Sequence, residues 1–264
     1  MLLHAVILVK NILDPELPAA SFRIDEAARG PVTGIGPLVL GPFERSALEI
    51  ALKLKDSGTV DHLTAITADG PSAEDALRKA FAVGVDEAVL VDTSNQRLDP
   101  AQTAVALTAA IARLTPVDLV VAGRQAGDWD QGQVGYLVAE ALGWPCVSLV
   151  RSASVGDDGE LVLKHDTVAG QEVVAVRPPA VITVTNDDST VLRMAKVQAM
   201  MLSQRKPITT WKLEELGRDD RGPSFSLLEL RIPESGVDCE LVEGDDPDEV
   251  AALLLDRLAE LKLL

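Results

Sequence analysis

Leu2–Val9 is a nearly unbroken apolar run, the first of several such runs that alternate with amphipathic stretches as far as Leu142. A strand without polar positions needs cover on both faces, which a parallel sheet sandwiched between helices provides. His62–Thr67, Ala88–Val91 and Val117–Ala122 continue the series of strands. Between them, Glu44–Asp56, Ser72–Val83, Pro100–Leu114 and Gly135–Leu142 carry apolar residues at helical spacing. Gly41-Pro42 opens the first of these helices, and Gly84 and Gly143 close the second and the last. Strand–helix alternation of this kind predicts βα units with right-handed crossovers. Apolar residues make up 47% of the chain and aromatics only 3%, so Val, Leu, Ile and Ala must build the core.

The pattern changes after Pro145. Val147–Val155, Leu161–Val168 and Gln171–Val176 predict short antiparallel strands, and Pro178–Thr185 predicts a buried strand returning to the main sheet. Asn11–Gly41 is rich in Pro and Gly and predicts a long loop with a short hairpin. Asn186–Lys206 is polar with scattered Met, Ile208–Ser235 has little periodicity and predicts an extended arm, and Asp248–Leu263 predicts a final amphipathic helix. The fold class expected is α/β: a parallel sheet with helices on both faces, an antiparallel hairpin excursion, and an extended C-terminal arm ending in a helix.

The formal charge of -17 disfavours nucleic acid and anionic membrane surfaces as partners. No apolar run approaches the roughly 20 residues needed to span a bilayer, so no integral membrane protein is expected. MLLHAVILVK lacks a basic start and a cleavage site, which predicts a strand and a cytoplasmic protein. Cys146 and Cys239 show no metal-ligand spacing, and no metal site is expected. Nothing nominates a catalytic residue: there is no G-x-S-x-G elbow and no G-x-x-x-x-G-K-[ST] loop, and His4 and His62 open predicted strands.

The most informative stretch is the strand–loop–helix from Leu119 to Gly135, LVVAGRQAGDWDQGQVG. Its strand delivers the loop to the carboxyl edge of the sheet, where open α/β folds bind ligands. Gly127, Gly132 and Gly135 permit close backbone approach, and the helix that follows offers free N–H groups to a phosphate. Asp128 and Asp130 suit ribose hydroxyls, a divalent ion, or fixing of the loop itself. A capped surface loop fits the same spacing. Phe43, in Gly41-Pro42-Phe43-Glu44, suits either cover for a base or flavin ring or a staple at the helix start.

These features, in this order, resemble the beta subunit of the electron-transfer flavoproteins, a family that includes the Fix-type electron-transfer subunits. The resemblance is carried by the opening strand ending Val9-Lys10, the Gly-Pro-Phe-Glu turn, and Ala73–Gly84 with Asp86. It continues through Gly123-Arg-Gln-Ala-Gly-Asp-Trp-Asp, Gln133-Val-Gly, Leu142-Gly-Trp-Pro145, Pro179-Ala-Val-Ile-Thr183 and Arg205-Lys-Pro207. It implies a Rossmann-like nucleotide-binding fold in residues 1–207, and a C-terminal arm and helix in 208–264 that contact an alpha subunit. It also implies an electron carrier and not an enzyme. The redox FAD lies mainly in the alpha subunit, and AMP or a second FAD in this one. Electrons pass from flavin-dependent dehydrogenases to a quinone oxidoreductase or another acceptor. A bifurcating subunit with a second redox FAD and a self-sufficient nucleotide-binding stress or sensor module are the alternatives.

Carried over by motif, the cofactor-binding residues are Leu8, Val9, Gly41, Pro42, Phe43, Glu44 and Ala68. To these the loop adds Ala126, Gly127, Asp128, Trp129, Asp130, Gln131, Gly132, Gln133 and Val134. Residues 186–206 match the docking loop, with Arg193, Met194 and Val197 facing partner dehydrogenases. Three departures stand out. The family's Asn before Pro-Phe is Gly41, the Gln-Val-Gly at 133–135 is nearer the Fix-type and bifurcating version, and the docking loop lacks the usual Leu-Pro pair.

Overall fold

The computed structural model describes residues 2–32, 34–187, 190–217, 222–233 and 239–264. It divides into two units, Met1–Leu228 and Glu229–Leu264. The first is built on β1 (Leu3–Leu8). The chain then makes a long loop whose two small antiparallel ladders pair β2 (Asn11–Leu13) with β5 (Leu38–Leu40) and β3 (Ile24–Asp25) with β4 (Gly30–Pro31). Helix α1 (Pro42–Asp56), β6 (Val60–Asp69), α2 (Glu74–Val83), β7 (Glu87–Asp92), α3 (Pro100–Arg113), β8 (Leu119–Gly123) and α4 (Val134–Leu142) follow. Then come β9 (Cys146–Val155), β10 (Leu161–Thr167), β11 (Gly170–Val176), β12 (Ala180–Val184), α5 (Val197–Ser203) and β13 (Thr209–Lys212).

Nine strands form one sheet in the order β11-β10-β9-β12-β8-β1-β6-β7-β13. The pairs from β9–β12 through β7–β13 are parallel, and β9–β10–β11 is the antiparallel excursion at one edge. The expected antiparallel character of β9 therefore holds on one side only; on the other it pairs parallel with β12. The segment expected to be an arm begins with β13, which extends the other edge. Trp211 on this strand takes the Arg113 guanidinium over its ring at 5.4 Å.

Two cores sandwich the sheet. Leu3, Ala5, Ile7 and Val9 face the core built with α1 and α2, whereas Val6 and Leu8 face the one built with α3 and α4. The side-chain period of two in β1 is thus read by two different helix pairs, which is why its sequence shows no polar alternation. Right-handed crossovers require this arrangement: winding runs outward from β1 to β7, then reverses at β8, and the covering helices change face.

Close approach at the reversal is set by Gly123, the last residue of β8. A Cβ there would lie 2.9 Å from the Phe43 Cβ and within 3.2 Å of the α1 backbone. Gly123→Ala is expected to cost about 1–3 kcal/mol through overpacking, visible as a lowered Tm in thermal unfolding. An unchanged Tm would show that α1 is free to move away from β8.

In the second unit, Asp246 caps α6 (Pro247–Glu260) by accepting from the N–H groups of Asp248 at 2.9 Å and Glu249 at 3.0 Å. Arg257 ties this helix to Glu240 at 2.9 Å, and Leu253, Leu254 and Leu255 are exposed.

Candidate functional site

Reversal of winding between β1 and β8 opens a crevice at the carboxyl edge of the sheet, the place where open α/β sheets take ligands. The expected residues converge there. Leu8 and Val9 end β1, Ala68 stands near the end of β6, and Pro42–Glu44 form the first turn of α1. Residues 126–134 run from the end of β8 to the start of α4. Leu8, Val9, Phe43 and Glu44 are buried, whereas residues 126–134 are half-buried or exposed.

The loop is held by its own side chains. Lys10 donates to Asp128 Oδ2 at 2.6 Å, and Gln125 Nε2 donates to Asp130 Oδ1 at 2.7 Å. The Asp128 Oδ1 caps the N–H of Trp129 at 2.9 Å, and the Asp130 N–H reaches the Ala126 carbonyl at 3.0 Å. Asp130 adopts φ 50° and Gly132 φ 61°, so the chain turns sharply twice before α4. Both aspartates therefore fix the loop. Among the described residues, no group of three His, Cys, Asp or Glu is arranged to hold a metal ion.

The glycines divide their roles. A Cβ on Gly135 would lie 2.6 Å from Thr183 Cγ2, so this residue serves the close packing of α4 on β12. On Gly127 it would meet Ile12 and Pro42 at 3.1 and 3.2 Å, so this residue lets the loop seat against the start of α1. The first turn of α4 has no side-chain cap and no acidic residue. Its N–H groups, with the positive end of the helix dipole, remain available at the crevice.

The polar atoms buried without a protein partner on this edge include Glu44 Oε2 and Arg124 Nε, together with Asn11 Oδ1 just after β1 and Thr93 Oγ1 just after β7. Burial is the largest influence on Glu44 and pushes its pKa from the ordinary carboxylate range up to about 7. Arg124 lies over the Phe43 ring at 4.7 Å, so a group approaching that face of the ring meets a guanidinium. Arg97 in turn sits over Trp129 at 5.3 Å while donating to the carbonyls of Arg29 at 2.8 Å and Ala28 at 3.2 Å. Lys10, Arg97 and Arg124 did not stand out from spacing. The available signal was charge, because each is a cation in or beside a site-forming loop of a strongly acidic chain.

The histidines at the opposite edge are structural. His4 Nδ1 is 2.8 Å from the Pro116 carbonyl and His4 Nε2 is 2.9 Å from Thr64 Oγ1, with the His62 ring edge-on at 4.8 Å.

Residues 186–206, expected to be a docking loop, are held at Arg193 and at the end of α5; residues 188 and 189 lie outside the described residues. Arg193 forms a bidentate pair with Glu49 of α1 at 2.9 and 3.0 Å and reaches Asp56 at 2.8 Å. Hydrogen bonds to Glu49 and then Asp56 hold its guanidinium charged above its ordinary value. Arg78 of α2 donates to the Ser203 carbonyl at 2.8 Å and fastens the end of α5. Between the anchors, Met194 and Val197 are exposed, as are Met200, Met201 and Leu202. Arg193 is thus the anchor, and Met194 and Val197 belong to the free surface. Glu49→Ala removes the buried half of the pair, and tryptic cleavage at Arg193 or Lys196 is expected to accelerate several-fold. Equal cleavage rates would show that something else holds the segment.

The family model of the electron transfer flavoprotein domain matches residues 36–216. Among curated relatives, the chain is 31% identical over 230 residues to the caffeyl-CoA reductase-Etf complex subunit CarD of Acetobacterium woodii, covering 85% of this chain and 87% of that one. It is 31% identical to the electron transfer flavoprotein subunit beta of Clostridium acetobutylicum, with 98% of each chain covered. Protein FixA of Bradyrhizobium diazoefficiens is 30% identical over 226 residues, 83% of this chain and 76% of that one. The alpha/beta sheet, the reversal at β1 and the match across most of the sequence agree: the chain belongs to the electron transfer flavoprotein family, as an electron-transfer subunit of the beta type.

Proposed function

We propose that this chain is the non-catalytic half of an electron carrier, pairing with an alpha subunit that holds the redox FAD and keeping an adenine nucleotide in the β1–β8 crevice. The observation that carries this reading is the crevice itself, with Glu44 Oε2 and Arg124 Nε buried and unpartnered beside a fixed loop and an uncapped helix start. Buried polar atoms normally find partners, so orphaned ones gathered at a ligand-binding edge support a ligand there. The nucleotide is AMP or the AMP half of a second FAD, which present the same base, ribose and phosphate. With so acidic a chain, its phosphate is held by the N–H groups of α4 and the loop.

The remaining parts follow from the same reading. Residues 1–207 hold the nucleotide, and Phe43 with Arg124 lies beside the flavin of the alpha subunit. Residues 208–264 hold the alpha subunit, and the exposed leucines of α6 support this, because an apolar helix face seeks cover. The Met-rich surface of α5 suits flavin-dependent dehydrogenases, since methionine adapts to different partner surfaces. Electrons then leave to a quinone oxidoreductase or another acceptor. The protein works in the cytoplasm; among the described residues no helix is long and apolar enough to cross a membrane. Bifurcation by a second redox FAD is the other reading of the same crevice, favoured by the Gln133-Val-Gly135 sequence.

Purified alone, the chain is expected to be colourless, and coexpression with its alpha subunit is expected to yield a yellow heterodimer. A pair that neither associates nor carries flavin would contradict the assignment.

A further inference from the structure

Glu44 is the third residue of α1, and its side chain folds back over the start of the helix. A Cβ on residue 41 would lie 2.0 Å from Glu44 Oε2 and 2.8 Å from Cδ. Glycine at 41 therefore leaves the space that this carboxyl group fills, at the position where the family resemblance leads one to expect an asparagine. The residue is 5% exposed, and while its own backbone N–H supplies one hydrogen bond, Oε2 is buried without a partner. An unmatched buried oxygen of this kind is costly, and a hydrogen-bond partner removes that cost. The charged groups facing it are Lys10 from the end of β1, Asp128 from the loop and Arg45 from α1 itself. Lys10 is already paired with Asp128 at 2.6 Å.

Resting on the nucleotide reading above, we infer that Glu44 sets the affinity of the crevice for its nucleotide, its carboxyl meeting the ligand in the protonated form and donating a hydrogen bond from Oε2. Three effects of a bound nucleotide act in the same direction. Covering the crevice removes what water reaches the carboxyl, an incoming phosphate adds negative charge nearby, and a phosphate that draws Lys10 to itself takes away the cation that favours ionisation. Each favours the neutral acid. In the empty chain burial already holds the pKa at about 7, so part of the population is ionised at neutral pH. Binding then takes up a proton from solvent. The linkage has a definite sign: affinity is full below pH 7 and declines as pH rises above it. Glutamine mimics the neutral acid, because its amide donates and never ionises.

The test titrates AMP, and separately FAD, into the nucleotide-stripped heterodimer from pH 6 to 9. Calorimetry in two buffers of different ionisation enthalpy counts protons. For the native sequence, affinity is expected to fall by up to about tenfold per pH unit above 7, with uptake approaching one proton per nucleotide. Glu44→Gln is expected to give a flat profile over that range and to bind more tightly than the native sequence at the alkaline end. The phosphate of AMP titrates near pH 6 in both proteins and cancels in the comparison. Parallel profiles, or no proton uptake by the native complex, would overturn the inference and leave the nucleotide reading standing. Absence of AMP and FAD binding at every pH would overturn both. Should the variant fail to assemble, the proton count on the native complex decides alone.

Discussion

The carboxyl edge of the sheet depends on β1 having β6 on one side and β8 on the other. Because crossovers keep one hand, that placement moves the covering helices from one face to the other and leaves no connection spanning the gap between β1 and β8. The gap is useful only if its walls are close and fixed. Gly123 permits the end of β8 to reach the first turn of α1, and Gly127 permits the loop to lie against Pro42 and Ile12. With larger residues at these positions the two walls would separate, and Glu44, Phe43 and Arg124 would no longer share one corner.

Charge is then distributed against the chain's overall character. A protein of formal charge -17 has placed Lys10, Arg97 and Arg124 around one loop and engaged each of them: Lys10 with Asp128, Arg97 with Trp129, Arg124 with Phe43. Of these contacts only Lys10–Asp128 joins opposite charges, so the guanidinium charges of Arg97 and Arg124 act at the loop together with the free N–H groups of α4. Arg97 also links this loop to the hairpin of β3 and β4, and Arg29 of that hairpin donates to the Leu227 carbonyl. Asp99, which caps α3 through the Gln102 N–H at 2.8 Å, accepts from the Ser224 N–H as well. Residues 222–228 are therefore held against the same side of the first unit as the loop of residues 126–134.

Much of this was legible in the sequence. Buried parallel strands announce themselves as continuous apolar runs, so β1, β6, β7, β8 and β12 were placed to within a few residues, as were the helices between them. The Gly-rich stretch at 123–135 and the turn at 41–44 pointed to one edge of the sheet, and the structure brings them together. Other features lay beyond periodicity. β13 is a short edge strand exposed except at Trp211, and α5 is a short helix with an exposed apolar surface; neither has the burial that writes a pattern. Glycine roles were also hidden: Gly135 looked suited to a ligand, yet its open side is filled by Thr183 of a strand distant in sequence. The same holds for Glu44, whose burial depends on what β1 and the loop bring to it.

Adenine-nucleotide occupancy of the crevice is read out by acid release of small molecules from the purified heterodimer, separated by chromatography and counted per complex. One adenine nucleotide, AMP or FAD, is expected beyond the flavin of the alpha subunit. A fully assembled, electron-transferring complex that releases a single FAD and no further nucleotide would contradict it.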